Sequence, residues 1–282
     1  MTLLEEPGKG RIFSTDPWAA AARRTTRHHD HVQKTYVRSL FDSIAYRYDL
    51  LNHLLSGGID LYWRRRAVER LRDLSPRTIL DVATGTADFA IAALRLSPHA
   101  VVGVDIAEQM LALGRRKLER RGLAGRISLE SGEAEHLRFP DASFDAALVA
   151  FGARNFEDLA GGLKEMRRVL RPGGRVVVLE FSRPAAFPFR QIYFWYFRRM
   201  LPLIGRLLSG SREAYRYLPE TVMRFPEGDE FLAILERSGF IDVAGERLTF
   251  GIVTIYTGNT PDASVPPTPT GTPATHPTTG MP

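Results

Sequence analysis

The chain contains no cysteine. Disulfides, zinc–thiolate sites, iron–sulfur clusters and thiol nucleophiles are therefore excluded. Radical chemistry on a cysteine-bound cluster goes with them, as does any cysteine adduct to a pyrimidine ring. Long apolar runs are missing too. No stretch of about 18 uninterrupted apolar residues occurs, so no spanning helix is expected. The nearest approach, 192–208, is broken by Arg198, Arg199 and Arg206. The N-terminus has acids where a secretory leader needs a basic start and an apolar run, which makes the expected location cytoplasmic. The dinucleotide fingerprint GxGxxG is also absent. Charge is only slightly one-sided: 38 lysines and arginines against 32 acids give a net +6.

What is present is ordinary globular composition, with 44% hydrophobic and 25% charged residues over 282 positions. The ends differ from the middle. Residues 261–282 hold seven prolines and six threonines without apolar periodicity, so the tail from 260 to 282 is expected to be disordered. Residues 1–33 are weakly patterned and read as a loose extension. His28, His29 and His31 lie there, and in such a stretch they read as a solvated cluster, not a metal site. One domain over 34–259 remains.

Within it, apolar strands alternate with helices. Strands are expected at 78–83, 101–106, 127–131, 144–151 and 175–181. Helices are expected at 87–96, 108–121 and 158–170, the last closed by Arg171-Pro172-Gly173-Gly174. Valine-rich strands separated by helices mean a parallel sheet covered on both faces. After a helix at 227–238, strands at 243–249 and 252–257 are separated only by Phe250-Gly251. That gap is too short for a crossover, so the final pair is expected to be antiparallel, completing seven strands.

The first strand runs from Asp81 into Ala83-Thr84-Gly85-Thr86-Ala87. Small residues at 83, 85 and 87 permit a sharp turn and close ligand approach. The second strand ends in Asp105, where doubly wound folds place a carboxylate on a ribose diol. Gly85, Thr86 and Asp105 are thus expected to meet one nucleoside. A pyrophosphate would want more free backbone donors. The acid before the turn, the small loop residues and the antiparallel end suit the cationic sulfonium of S-adenosylmethionine better. The expected fold is the class I, Rossmann-like α/β methyltransferase sheet.

Several segments now carry a likeness. They are Phe41-Asp42-Ser43-Ile44-Ala45 with Tyr48-Asp49 and Asn52, Trp63-Arg64, Gly85-Thr86-Ala87-Asp88, and Phe139 through Asp145. They continue with Phe151-Gly152-Ala153-Arg154-Asn155, Arg168 through Gly174, Leu179-Glu180-Phe181-Ser182, Tyr215 through Pro226, and Thr249-Phe250-Gly251. Over roughly 35–258 the chain resembles the quinone-ring C-methyltransferases of menaquinone and ubiquinone biosynthesis. The Arg168–Gly174 segment is shared by many methyltransferases. The Phe151–Asn155, Tyr48–Asn52 and Thr249–Gly251 segments are more particular to this family.

The resemblance implies methylation of a ring carbon of a reduced polyprenyl quinol, with S-adenosylmethionine as donor and no metal. It favours a demethylmenaquinol, and a benzoquinol or another lipid-like phenol is the alternative. It implies that Thr86, Asp105, Glu133 and Ala134 line the cofactor site, with Glu133 standing where the family often has asparagine. Arg154 would stabilise a phenolate or hold a water, Asn155 would bond a ring oxygen, and Tyr48 would close over the ring. For Arg154 the competing reading is a structural ion pair, with Glu157 or Asp158 as candidate partners.

The insert over 182–226 is aromatic and basic. Its part from 182 to 217 holds seven arginines and one acid, an excess equal to that of the whole chain. Polyprenyl tails want apolar cover and anionic lipid heads attract arginine, so the insert reads as a lid on a membrane surface. A covering helix pair or a homodimer contact is the competing reading. Concentrated in this way, the charge does not point to nucleic acid.

Overall fold

In the computed structural model, the described residues are 56–184, 186–195 and 221–262, with Ser39, Asp42 and Arg199. Tyr48, the extension 1–33, most of the insert and 263–282 lie outside them.

The elements follow the apolar pattern. They are α1 (Ile59–Glu69), β1 (Thr78–Val82), α2 (Asp88–Ala93), β2 (Ala100–Asp105), α3 (Glu108–Arg120), β3 (Ile127–Ser131), β4 (Phe144–Ala150), α4 (Leu159–Val169), β5 (Leu170–Phe181), α5 (Phe189–Trp195), α6 (Asp229–Arg237), β6 (Ile241–Leu248) and β7 (Val253–Asn259). The strand order is β3-β2-β1-β4-β5-β7-β6. The first five strands are parallel, and β7 runs antiparallel between β5 and β6. Strand order reverses between β1 and β4, which puts a crevice at their carboxyl ends.

Each face of the sheet has its own apolar layer. Trp63, Ala67, Phe89, Leu111 and Leu118 from α1, α2 and α3 cover one face. Leu163, Met166, Phe231 and Leu235 from α4 and α6 cover the other. Burial on both faces is why the central strands β1, β4 and the end of β5 are nearly continuously apolar, whereas the edge strand β3 alternates.

Two local details depart from the sequence reading. The Arg171–Gly174 segment is part of β5 and does not form a free turn. Phe144 pairs with Leu170 and the register then shifts to Ala146 against Arg175, so the extra residues form a bulge where Pro172 needs no ladder donor. The link between β6 and β7 is a single tight turn at Thr249–Gly251, with φ of 48°, 56° and 87°. Antiparallel order persists one residue beyond the expected boundary. Thr260 is buried, donates to Gly174 O at 2.8 Å and accepts from Gly173 N.

Two glycines set how closely the loop after β1 is held. A Cβ on Gly103 of β2 would lie 2.6 Å from Leu129 Cδ2 and 2.8 Å from Thr84 Oγ1. A Cβ on Gly114 of α3 would lie 2.7 Å from Leu129 Cδ1 and 3.3 Å from the Thr86 carbonyl carbon. Gly103→Ala is expected to lower unfolding free energy by about 1–3 kcal/mol through overpacking. Urea unfolding of the two proteins checks this.

Candidate cofactor and acceptor site

The loop between β1 and α2 turns through three left-handed residues in alternation. Ala83, Gly85 and Ala87 have φ of 54°, 57° and 72°. Only small residues take this path at low cost, and the two alanines bear a strain of about 1 kcal/mol each. The turn is held by Asp105, whose carboxylate accepts from Gly85 N and from Ala107 N, each at 2.8 Å. Burial raises the Asp105 pKa, and the N–H donors of Ala107, Gly85 and Ile106 oppose that. Asp42 accepts from Gln109 N at the start of α3.

A cavity opens beside this turn. Its wall includes Gly85, Asp105, Glu133, Ala134, Phe151 and Asn155. Five of the expected site residues therefore share one space: Gly85, Asp105, Glu133, Ala134 and Asn155. Asp81, Thr86 and Arg154 do not form its wall. Asp81 is buried beneath the loop and accepts from Thr84 Oγ1 at 2.6 Å through Oδ2. Its Oδ1 has no partner among the described residues. Burial pushes its pKa up to about 7, with the Thr84 bond and the Arg64 cation opposing. Thr86 turns its hydroxyl away and accepts from Lys117 Nζ at 3.0 Å, and the same ammonium meets Asp88 at 2.8 Å.

Arg154 points behind the wall. It pairs with Glu180, not with Glu157 or Asp158: Nη1 lies 3.0 Å from each carboxylate oxygen. Both side chains are buried, 6% and 1% exposed. The Arg154 guanidinium lies 5.6 Å from the Phe181 ring centre.

Segments far apart in sequence meet around this pair. Phe151 packs on Phe181 at 4.5 Å, and Trp63 meets both rings edge-on. Trp63 Nε1 donates to Thr249 Oγ1 at 2.7 Å. Ser182 Oγ donates to Gly251 O, and Thr254 Oγ1 to Ser182 Oγ. Arg64, held by Asp60 at 2.7 Å, covers the Phe151 ring at 5.3 Å. So Trp63-Arg64, Phe151–Asn155, Glu180-Phe181-Ser182 and Thr249–Gly251 form one layer beside the carboxyl ends of β4 and β5.

Sequence reading missed Lys117, Glu180 and Asp60. Signals existed for the first two. Lys117 falls on the apolar stripe with Met110, Gly114 and Leu118, and Glu180 is the single charge in Val176–Phe181. Among the described residues no group of three or more His, Cys, Asp or Glu is placed to hold a metal ion.

A raised carboxyl pKa means that the folded chain holds a proton that the unfolded chain has released between about pH 4 and pH 7. The stability from neutral Asp81 is therefore lost as pH rises through 7. Asp81→Asn should stabilise the protein at pH 8 more than at pH 5, by at most about 3 kcal/mol, while weakening binding of a cationic ligand. Thermal melts at both pH values check the sign.

Comparison with known proteins agrees with this geometry. The profile of the ubiE/COQ5 methyltransferase family matches residues 29–260. A demethylmenaquinone methyltransferase of Thermus thermophilus is 51% identical over 223 residues, covering 79% of this chain and 100% of the relative. One from Bacteroides fragilis is 47% identical over 229 residues, covering 81% and 94%. A ubiquinone/menaquinone biosynthesis C-methyltransferase of Geobacter sulfurreducens is 50% identical over 224 residues, covering 79% and 87%. Among solved structures, an S-adenosylmethionine-dependent methyltransferase of Thermotoga maritima described as a possible histamine N-methyltransferase superposes with a TM-score of 0.56 at 20% identity. It covers 79% of this chain and 98% of its own, and shows the fold alone. With a cavity that joins the turn after β1 to the Phe151–Asn155 segment, the chain belongs to the ubiE/COQ5 methyltransferase family.

Proposed function

We propose that the protein transfers a methyl group from S-adenosylmethionine to a ring carbon of a reduced polyprenyl demethylmenaquinol. The observation that carries this is the shared cavity, whose wall includes Gly85, Asp105 and Asn155 together. The residues present fit the donor. Gly85 leaves its inner side open except for the end of Met110, Asp105 offers acceptors to a ribose diol, and Asp81 Oδ1 supplies a buried acceptor below a cationic ligand. Glu133 can accept from an adenine amino group, and Ala134 gives an apolar wall.

Bound S-adenosylmethionine supplies an electrophilic methyl and leaves as a neutral thioether, so the ring carbon that gains the methyl releases one proton. The protein's part is alignment and charge. Asn155 bonds a ring oxygen and sets the angle of the ring. Arg154 supplies positive charge beside a phenolate or orders the water that takes the proton. Its Nε is buried without a partner among the described residues. A phenolate is required because only an ionised quinol makes the ring carbon nucleophilic. Tyr48 belongs to this reading as a lid residue over the ring.

Asn155→Ala should leave the cofactor Kd within about twofold and reduce kcat roughly tenfold to a hundredfold. Calorimetric titration with S-adenosylmethionine checks the first. Label transfer to a panel of reduced naphthoquinones and benzoquinones checks the second and ranks the acceptors.

The same reading places the protein in the cytoplasm, against the inner face of the membrane. Among the described residues no helix is long and apolar enough to cross a membrane. Phe187, Trp195 and Phe250 are exposed, and Phe250 stacks on Phe189 at 3.8 Å. Exposed rings on the segment that carries Arg183 and Arg190 suit an anionic surface. Flotation with anionic vesicles should carry the protein upward, and Phe187→Ser/Trp195→Ser should reduce that. If neither holds, the membrane reading fails and a covering helix pair or a contact between two copies takes its place.

A further inference from the structure

The Arg154–Glu180 pair is not closed in the usual way. An arginine commonly meets a carboxylate through two nitrogens in a fork. Here one nitrogen, Nη1, faces both Glu180 oxygens at 3.0 Å and also donates to Phe151 O. The arrangement spends a single nitrogen and leaves Nε buried without a partner among the described residues. Glu180 is itself held by backbone donors. It stands at the end of β5, and its oxygens also accept from Phe181 N at 3.1 Å and Arg154 N at 3.4 Å.

From these contacts we infer that Glu180 is a positioning residue for the methyl transfer: it anchors the Arg154 guanidinium behind the cavity wall that Phe151 and Asn155 form, so that the cation keeps a set place beside the reacting ring. This rests on the proposed role of Arg154. Three other features agree with it. The Phe181 ring lies under the guanidinium and limits its rotation. Tyr193, itself buried on α5, lies within electrostatic reach of Glu227, Arg154, Glu180 and Arg183. Arg183 is itself engaged with Glu227 at 2.9 Å, which leaves Glu180 to Arg154.

The test uses the full chain in three variants: Glu180→Gln, Arg154→Met, and Arg154→Met with Glu180→Leu. Turnover of a short-chain reduced demethylmenaquinone is read beside calorimetric binding of S-adenosylmethionine and thermal melting. Glu180→Gln should keep the cofactor Kd and quinol KM within about threefold and lower kcat roughly tenfold to a hundredfold. The double variant removes both buried charges and should fold. It should turn over as slowly as Arg154→Met, and no slower. If folded Glu180→Gln keeps kcat within about twofold while Arg154→Met does not, the positioning inference fails and the role of Arg154 stands. A further loss of about tenfold in the double variant also overturns it, because Glu180 would then act without Arg154. Wild-type kcat in Arg154→Met removes both readings. Should Glu180→Gln not fold, Glu180→Asp takes its place and is read by the same kcat and Kd criteria.

Discussion

The interaction on which the cofactor side depends is the grip of one carboxylate on a strained turn. Asp105 receives the N–H groups of Gly85 and Ala107 and so fixes the loop after β1 against the end of β2. Without that anchor, left-handed backbone at Ala83, Gly85 and Ala87 would have little to hold it. Supports surround the turn. Gly103 and Gly114 let Leu129 and the loop approach, and Lys117 ties Thr86 to Asp88 from behind. The same carboxylate faces the cavity, so structure and binding draw on one side chain.

The acceptor side is built differently. There, four short segments separated by up to about two hundred residues of chain are joined by rings and buried charge pairs. Phe151 and Phe181 pack together, with the Asp60–Arg64 pair at the first ring and the Glu180–Arg154 pair at the second. Trp63 locks onto the Thr249–Gly251 turn, which itself holds Ser182 through Gly251 O. Buried ion pairs add little net stability as a rule, because desolvation offsets the attraction. Their presence here fits a surface that must keep a cation in a set place beside a reacting ring.

The sequence revealed much of this and missed the rest for clear reasons. Strands β1, β2 and β4 fall within one or two residues of expectation because both-face burial writes itself as an apolar run, and the edge strand β3, which alternates, falls on its expected residues. The turn after β1 was legible because alternating small residues have a local cause. The helix before Arg171–Gly174 does stop, at Val169, but the segment itself belongs to β5, since a bulged strand start and a turn use the same residues. The partner of Arg154 could not be read. Glu180 is 26 positions away, and only the adjacency of β4 and β5 brings the two together. Nearby acids Glu157 and Asp158 looked like the natural choice, but Asp158 caps α4 through Gly161 N. Glu157 stands on the cavity wall. The inward path of Lys117 was hidden for a similar reason, because lysine on a helix usually means solvent.

The account reduces catalysis to alignment of a ring plus stabilisation of its ionised oxygen, with no covalent intermediate on the protein. Its central requirement is therefore the redox state of the acceptor. The most direct measurement is label transfer from S-adenosylmethionine to one short-chain demethylated naphthoquinone, offered reduced and oxidised to the same enzyme under anaerobic conditions. The account predicts transfer to the quinol and none above background to the quinone. Equal transfer to both would contradict it.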